Sequence, residues 1–477
     1  MACQAVFFIS IQRFTVDDKL TSFVQLINSY LWGICGLIPL LVGVGIYFTF
    51  RLRFVQIRKF MTAVRFTLSG ASFNGKRAGK SGMSSFQSLA TAVAAQVGTG
   101  NIAGAATAVT MGGPGAIFWM WIAAFFGMAT IFTEAVLAQL FKSKDHAGNI
   151  TGGPSYYITN GLHCKPLAIF FSCAVIIALG LIGNMVQSNS IASAFTQAFD
   201  VPPIVTGIVI AAIAAFVFIG GVGRIASTTE KIVPIMALVY IVGSLIVIFI
   251  NLDQFIPAIK SIFVGAFNPS AATGGVIGAT VKEAMRYGVA RGLFSNEAGM
   301  GSTPHAHAVA RVDHPVEQGL VAICGLFLDT FIVLNMTAFV IFTTGVLDGK
   351  TTGIELAQKA FSTGFGSTIV GGSFVAVCLF FFAFSTIVGW YFFAAQNVKF
   401  LFGTKSVKFY VCIVLCFLVL GSVLKVNLVW ELADLFNGLM VIPNLIALLG
   451  LGALVSKALK DFEGPRELAD SNEKTEE

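Results

Sequence analysis

The residues best suited to hold a ligand lie where an apolar helix should be unbroken. Gly98-Thr99-Gly100-Asn101 falls inside the Ala- and Val-rich run Ala90–Ala108, and Gly112-Gly113-Pro114 follows shortly after. Glycine is a poor helix former, and two glycines beside a hydroxyl and an amide favour a local break. In lipid, freed N–H and C=O groups are tolerated only where they face protein or a water-filled cavity. A break at membrane depth therefore points to a site for something polar or charged. A second interruption, Gly292-Leu293-Phe294-Ser295-Asn296-Glu297-Ala298-Gly299-Met300-Gly301, gathers glycines, a serine, an amide and a carboxylate. One such helix could reflect close packing alone. Breaks in corresponding places of two halves mark a transporter's midplane site.

Other polar groups stand at unexpected depth. Glu134, Asp329, Glu283 and Glu297 fall in or near apolar spans, where ionisable groups are expensive and usually functional. Glu297 adjoins the second break and is placed to bind, orient or cap the half-helix that follows. Glu283 shares Lys282–Arg291 with three basic residues, which predicts a local ion-pair face. For Glu134 and Asp329 the sequence leaves three roles open: structural partner, ligand of a coupling ion, or proton acceptor. His305 and His307, two apart on a helix, diverge and make a poor metal pair, so a gating or helix-end role is expected. Asn184, Gln187 and Asn189 crowd six residues of one span, where amides can glue helices together. Ser385-Thr386 interrupts the apolar and aromatic Phe380–Trp390, either to bond the preceding turn or to offer hydroxyls.

The elements that must position these residues are membrane helices. The 477 residues are 56% hydrophobic and 11% charged, with mean hydropathy +0.84. Soluble domains carry about 25% charge, so the chain reads as an all-α polytopic membrane protein. Its apolar runs are too long for the strands of a barrel. About 11 spans are expected, near 25–50, 88–110, 115–141, 166–196, 203–222, 231–251, 275–310 (interrupted), 317–345, 369–397, 407–424 and 430–456.

Arg51, Arg53, Arg58, Lys59, Arg65, Lys76, Arg77 and Lys80 cluster after the first span. Lys142, Lys144, Arg224, Lys231, Arg311, Lys399, Lys405 and Lys408 fall on alternate loops of the same side, and Lys457, Lys460 and Arg466 join them. The positive-inside rule makes that side cytoplasmic and the N-terminus external, in a multi-pass protein of the cell (inner or plasma) membrane. This bias accounts for the net charge of +7 without nucleic acid. Phe7-Phe8-Ile9 is too short for a signal peptide, so the first span is expected to act as an uncleaved anchor. Cys35, Cys173, Cys324, Cys378, Cys412 and Cys416 read as small packing residues. The tail 461–477 is expected to be disordered.

The strings TAVAAQVGTGNIAGAATA (Thr91–Ala108), GGPGAIFWMW (Gly112–Trp121), GMATIFTE (Gly127–Glu134), GGPSYYI (Gly152–Ile158), GLFSNEAGMGSTPHAH (Gly292–His307) and FSTIVGW (Phe384–Trp390) resemble the alanine/glycine–cation symporter family. The resemblance runs in order from about 25 to 455. It implies a leucine-transporter-like 5+5 inverted repeat with one extra N-terminal transmembrane helix. The corresponding regions are 1–82 (external N-terminus, leading helix and basic loop), 83–255 (first five-helix half), 256–456 (second half) and 457–477 (cytoplasmic tail). Ser155 stands where the family usually has methionine, and Leu334-Asn335 replaces a Cys-Thr after Asp329.

Under that resemblance the ligand is a small neutral amino acid. Its carboxylate would take the Thr99 and Gly100 amides at a helix start, and its ammonium the carbonyls around the second break with Ser295. Gln187 would lie at the substrate, and Phe294 and Trp390 would wall a pocket too narrow for large side chains. One Na⁺ would sit among the Asn101 side chain, the Gln96 carbonyl and the second break. Another would use the Ala94 and Val97 carbonyls with the Ser385 and Thr386 hydroxyls. An inward-facing Asn335 would add an amide to the first ion site or alter specificity.

The reading is a secondary transporter importing alanine or glycine with Na⁺ as coupling ion and no cofactor. The same fold coupled to H⁺, or carrying glutamine or serine, is the runner-up, with Glu134, Glu297 or Asp329 as the proton carrier. A phosphate-binding G-x-x-x-x-G-K-[ST] loop is missing, which argues against ATP-driven transport within this chain. A membrane enzyme would need a convergent acid–base or metal set that the spacing does not offer, and a channel would need a duplicated pore loop.

Overall fold

The computed structural model describes residues 16–33, 36–70, 82–145, 148–268, 279–424 and 426–473. Phe7-Phe8-Ile9, Cys35, Lys76, Arg77, Lys80 and the start of the 275–310 span lie outside them, as does the side chain of Arg466. Apart from a two-stranded ribbon, Ser143–Lys144 against Ile150–Thr151, the described elements are helices.

The two halves repeat in order. Each opens with a broken helix: Ser85–Gln96 with Gly100–Gly104 and Ala105–Gly112 in the first, Val281–Asn296 with Pro304–Ala308 in the second. Both broken helices start with a reciprocal capping box, Ser84 with Gln87 and Thr280 with Glu283. The cap side chain accepts from the backbone three residues on while the third side chain accepts from the cap's own N–H, so two orphan donors are satisfied at each start. A long second helix follows (Gly115–Leu140; Pro315–Thr344), then a short connecting helix (Pro154–Asn160; Gly353–Phe365). Lys165–Phe199 and Thr368–Phe402 are the third members, Pro203–Ile219 and Thr404–Val423 the fourth, Gly221–Ile250 and Val426–Glu473 the fifth.

Burial separates an inner from an outer layer. Gly115–Leu140 and Pro315–Thr344 are 67% and 72% buried over their most apolar windows, whereas Gly221–Ile250 and Thr404–Val423 are only 39% and 33% buried. These outer helices expose Ile235, Leu238, Phe249 and Phe409, and Pro203–Ile219 exposes Phe216. Apolar side chains exposed on helices this long and apolar belong in lipid, which is as apolar as they are.

Several expectations need correction. The leading span 25–50 is two helices, Val16–Leu31 and Leu37–Arg51. Gly33 and Gly36 fall at their junction, where helix propensity is lowest. The first of these packs on the last helix, with Asn28 Nδ2 donating to Glu431 Oε2 at 2.7 Å and Trp32 Nε1 to the Asp434 carbonyl at 2.9 Å. The tail is not disordered from 461, since the last helix continues through Glu473. Among the described residues Glu283 has no ion pair; its carboxylate is taken by the Thr280 N–H and hydroxyl. Two further helices, Phe60–Gly70 and Phe255–Phe267, occupy stretches read as loops.

Candidate functional site

The first break is shorter than the glycines suggest and the second lies later. Helix Ser85–Gln96 ends at Gln96, Val97 and Gly98 are non-helical, and a π-helical turn resumes at Gly100. The second broken helix persists through Asn296, and the non-helical residues are Glu297–Thr303. Glu297 takes a left-handed conformation (φ 59°) at its end, followed by Gly299 (φ 84°) and Gly301 (φ 80°).

The two broken helices meet beside their breaks, at Gly100 and Ser295. A Cβ on Gly100 would lie 3.1 Å from both Cα and Cβ of Ser295. Glycine there lets two backbones approach, which is the closeness a shared site needs. Asp329, on the neighbouring helix Pro315–Thr344, ties them together. Its Oδ1 accepts from Asn101 Nδ2 at 2.7 Å and from Ser295 Oγ at 3.1 Å, and its Oδ2 from Thr330 Oγ1 at 2.9 Å. Asn101 Oδ1 accepts from the Gly98 N–H at 3.0 Å, and Thr337 Oγ1 donates to the Asn101 carbonyl at 2.7 Å. Gln96 reaches across with its side chain, Nε2 donating to the Asn296 carbonyl at 2.7 Å. Asp329, Asn101 and Ser295 are buried, and among the described residues Asp329 has no ion pair. An uncompensated buried carboxylate costs several kcal/mol, an expense that a bound cation would remove.

A second group of oxygens closes on the first break from helix Thr368–Phe402. Thr386 Oγ1 lies 2.9 Å from the Ala94 carbonyl and 3.4 Å from that of Val97, and Ser385 Oγ lies 3.4 Å from the Ala94 carbonyl. The Phe382 carbonyl, in the preceding turn of their own helix, is also within reach of both hydroxyls, at 2.8 Å from Ser385 and 3.1 Å from Thr386. A Cβ on Gly98 would sit 2.4 Å from Thr386 Oγ1, so glycine is needed here too. The donors in both groups are hard oxygens, suited to alkali ions. The described residues contain no cluster of three or more His, Cys, Asp or Glu fit for a transition metal.

Gln187 does reach the first break: its Oε1 accepts from the Thr99 N–H at 3.3 Å. That amide is thus engaged, while the Thr99 hydroxyl is buried without a partner. Of the two amides beside Gln187, Asn189 glues its helix to the Gly421 and Leu424 carbonyls, whereas Asn184 bonds the Gly180 carbonyl one turn back in its own helix. Phe294 meets Trp390 edge-on with ring centroids 6.1 Å apart.

The other two carboxylates hold the second break in shape. Glu134 accepts from the backbone N–H groups of Gly299 (3.2 Å) and Gly301 (2.9 Å) and from Asn444 Nδ2 (2.7 Å). Three donors aimed at one carboxylate replace the helical bonds the unwound segment forgoes. Glu297 accepts from the Ser302 hydroxyl and from the Trp390 indole N–H. Trp390 is therefore anchored as well as a wall. Sequence reasoning missed Asn444 and Thr337; an amide inside the apolar run 439–455 was the available signal for the former.

The contacts of four further residues are also defined. Asn335 adds nothing to the Asp329 group, because its Oδ1 accepts from Trp121 Nε1 at 2.8 Å. Ser155 bonds Ser172 and Asn397. His305 and His307 diverge: the first contacts the Ser302 carbonyl and Asn397, the second Gln318.

A cavity of about 960 Å³ descends toward the first break, lined by Gly104, Thr107 and Ser190 and, at its mouth, by Pro203, Thr352 and Glu355. Its mouth lies at connections on the face opposite Lys142, Arg311 and Lys399. On the basic-loop face the starts and ends of the broken helices are tied shut: Met83 N–H to the Val309 carbonyl at 3.0 Å, Arg311 N–H to that of Met83 at 3.1 Å, and Ser88 Oγ to that of Ala306 at 2.8 Å.

Two unwound helices facing each other inside a repeated helical bundle, open to one side, define a secondary transporter. The chain belongs to the sodium:alanine symporter family, whose model matches residues 17–476. It is 44% identical over 443 residues to an uncharacterized transporter of Haemophilus influenzae, covering 92% of this chain and 96% of that one. It is 42% identical to the sodium/alanine symporter AgcS of Methanococcus maripaludis (92% of this chain, 97% of the relative). It is also 42% identical to the probable sodium/glutamine symporter GlnT of Bacillus subtilis (94% and 91%). Among solved structures, that of MhsT in complex with L-phenylalanine shares the fold, with a TM-score of 0.56 at 13% identity, over 80% of this chain and 98% of MhsT. The protein is a multi-pass membrane transporter, not an enzyme, of the sodium/amino-acid symporter class.

Proposed function

We propose that the protein imports alanine or glycine together with Na⁺ by alternating access. The observation that carries this reading is the Asp329 carboxylate, buried without a cationic side chain and hydrogen-bonded to both breaks through Asn101 and Ser295. A mobile cation beside it neutralises the charge and binds the two halves to each other, so ion occupancy favours the geometry that holds substrate. A second Na⁺ takes the Ala94 and Val97 carbonyls with Ser385 and Thr386. The substrate lies between the Thr99–Gly100 backbone, Gln187, Ser295 and the rings of Phe294 and Trp390, whose edge-on contact would exclude larger side chains.

With the basic loops in the cytoplasm, the 960 Å³ cavity faces outward, ready to load. The N-terminus then lies outside and the C-terminus inside the cell membrane. Rocking of the broken-helix bundle would close this cavity and part the contacts of Met83 and Ser88. The test is uptake of radiolabelled alanine, glycine, serine and glutamine into proteoliposomes, under an inward Na⁺ or an inward H⁺ gradient. Accumulation of alanine or glycine with Na⁺ alone is expected. Accumulation driven by H⁺ alone overturns the coupling, and preference for glutamine or serine overturns the substrate.

A further inference from the structure

His305 is buried where the second broken helix meets three other elements, and its ring has no room to turn. It lies between Phe171 of helix Lys165–Phe199 and Phe393 of helix Thr368–Phe402, with ring centroids 6.2 and 5.7 Å away. Gly153, just before the short helix Pro154–Asn160, takes φ 122°, and a Cβ there would lie 2.5 Å from His305 Cδ2. The ring is thus held with Nδ1 at the Ser302 carbonyl and Nε2 at Asn397.

Hydrogen-bond polarity then fixes the protonation state. A carbonyl only accepts, so Nδ1, 2.7 Å from the Ser302 oxygen, carries a proton. The Asn397 amide is oriented in turn: Nδ2 donates to the Phe393 carbonyl at 2.9 Å, and Oδ1 accepts from Ser155 Oγ at 2.6 Å. Its NH₂ therefore faces His305, and Nε2, 2.8 Å away, accepts with its lone pair. The imidazole is neutral in this geometry. A second proton would set N–H against N–H, and turning the amide to avoid this would set its oxygen against the Phe393 carbonyl.

The titratable groups on the surrounding elements are engaged elsewhere. Glu297 accepts from Ser302 and Trp390, and Glu134 from Gly299, Gly301 and Asn444. Tyr157 donates to Asn444, Tyr156 meets Thr151, His307 meets Gln318 and Lys142 donates to Gln139. The same helices carry Lys165, Cys173, Cys378, Tyr391 and Lys399, and the ribbon carries Lys144. Among the described residues no ion pair includes His305, so no carboxylate is placed to hold an imidazolium.

The contact joins parts that must separate. His305 belongs to the second broken helix, whose Ala306 and Val309 carbonyls are tied to Ser88 and Met83 on the basic-loop face. Asn397 and Ser155 belong to the elements against which that helix closes. We propose that His305 Nε2 is a proton-binding site that couples opening of the basic-loop face to pH. With the lone pair free, Asn397 is held and the face stays closed. A proton taken there from water releases Asn397 and favours the open form. The inference rests on the alternating-access reading above and adds a control to it. Its sign follows from linkage: the closed form binds no proton at Nε2 and the open, hydrated form does, so acid favours opening. An exposed histidine titrates near about pH 6.5, so the ratio of open to closed should rise about tenfold between pH 7.5 and 5.5.

The test is the distance between spin labels introduced at Val312, after the second broken helix, and Lys405, after helix Thr368–Phe402. The full chain is measured in lipid nanodiscs at pH 7.5 and 5.5, with and without Na⁺. Two distances are expected, the longer gaining about tenfold over the shorter in acid. His305→Gln can donate to Ser302 and accept from Asn397 but takes no proton. It should lose the pH response and keep the response to Na⁺, which shows that it is folded. Asn397→Asp gives a protonated Nε2 an acceptor, so acid should no longer open the face. A wild-type distribution that shifts with Na⁺ but not with pH overturns the inference and leaves the transport reading intact. An acid-driven opening that survives in His305→Gln or in Asn397→Asp also overturns it, and assigns the titration to Glu134, Glu297 or Asp329. One distance under every condition overturns the alternating-access reading itself, and the inference with it.

Discussion

Asn101 and Asp329 stand 228 positions apart, yet the Asn101 amide donates to the Asp329 carboxylate at 2.7 Å. Asn101 belongs to the first break and Asp329 to the second half of the chain. Ser295 donates to the same carboxylate oxygen, so one buried carboxylate joins both broken helices. Asp329→Asn keeps the shape and deletes the charge. It should raise the Na⁺ concentration for half-maximal alanine uptake by about tenfold or more, since a charge-assisted contact is worth roughly 1.5–3 kcal/mol. Uptake titrated against Na⁺ in proteoliposomes checks this, and an unshifted titration removes Asp329 from the ion site.

The Ser385–Thr386 pair makes a separate prediction. Its hydroxyls face the Ala94 and Val97 carbonyls but also bond their own helix. Ser385→Ala with Thr386→Val removes the oxygens and leaves the backbone bonds of the helix in place. The Na⁺ requirement should rise severalfold while the alanine KM at saturating Na⁺ changes little. If neither moves, the hydroxyls only bond the preceding turn.

Glu134 should behave differently from either. It accepts from the N–H groups of Gly299 and Gly301 and from Asn444 on the last helix. Glutamine in its place offers one acceptor oxygen and presents an NH₂ to groups that donate. Losing one or two buried bonds of this kind costs about 2–5 kcal/mol. Glu134→Gln should therefore lower Tm and the yield of folded protein, and reduce the maximal rate, without shifting the Na⁺ titration. Normal Tm with lost coupling would instead make Glu134 an ion or proton carrier.

The breaks were legible because glycines in an apolar helix are a local signal. Gly98 and Gly100 mark where backbone must approach Thr386 and Ser295, and their neighbours Asn101 and Ser295 follow from the same reading. What Glu134 and Glu297 do was not legible. Each serves donors brought to it by tertiary folding, and a lone Glu in a span gives no sign of which ones. Glu283 misled because three basic neighbours suggested pairing, while the reciprocal bond with Thr280, three residues earlier, decided its conformation. The split of the leading helix was announced by Gly33 and Gly36, but span length alone overrode them. The capping boxes at Ser84 and Thr280 were readable as S-x-x-Q and T-x-x-E, and they mark the start of each half.

Trp390 serves two purposes that different substitutions separate. Its ring meets Phe294 edge-on, and its indole N–H donates to buried Glu297. Trp390→Phe keeps an aromatic wall but strips Glu297 of a donor, leaving Ser302 as its one side-chain hydrogen-bond partner among the described residues. It should reduce uptake and Tm together, by about 1–3 kcal/mol in stability, with the substrate profile unchanged. Trp390→Ala suffers the same loss and in addition opens a void where the indole stood, at a cost of about 3–5 kcal/mol. That void should admit larger neutral amino acids, so the ratio of valine or leucine uptake to alanine uptake should rise for Trp390→Ala and not for Trp390→Phe. Competition of each amino acid against labelled alanine measures the ratio. An identical profile in both variants would mean that the indole anchors Glu297 without bordering the substrate.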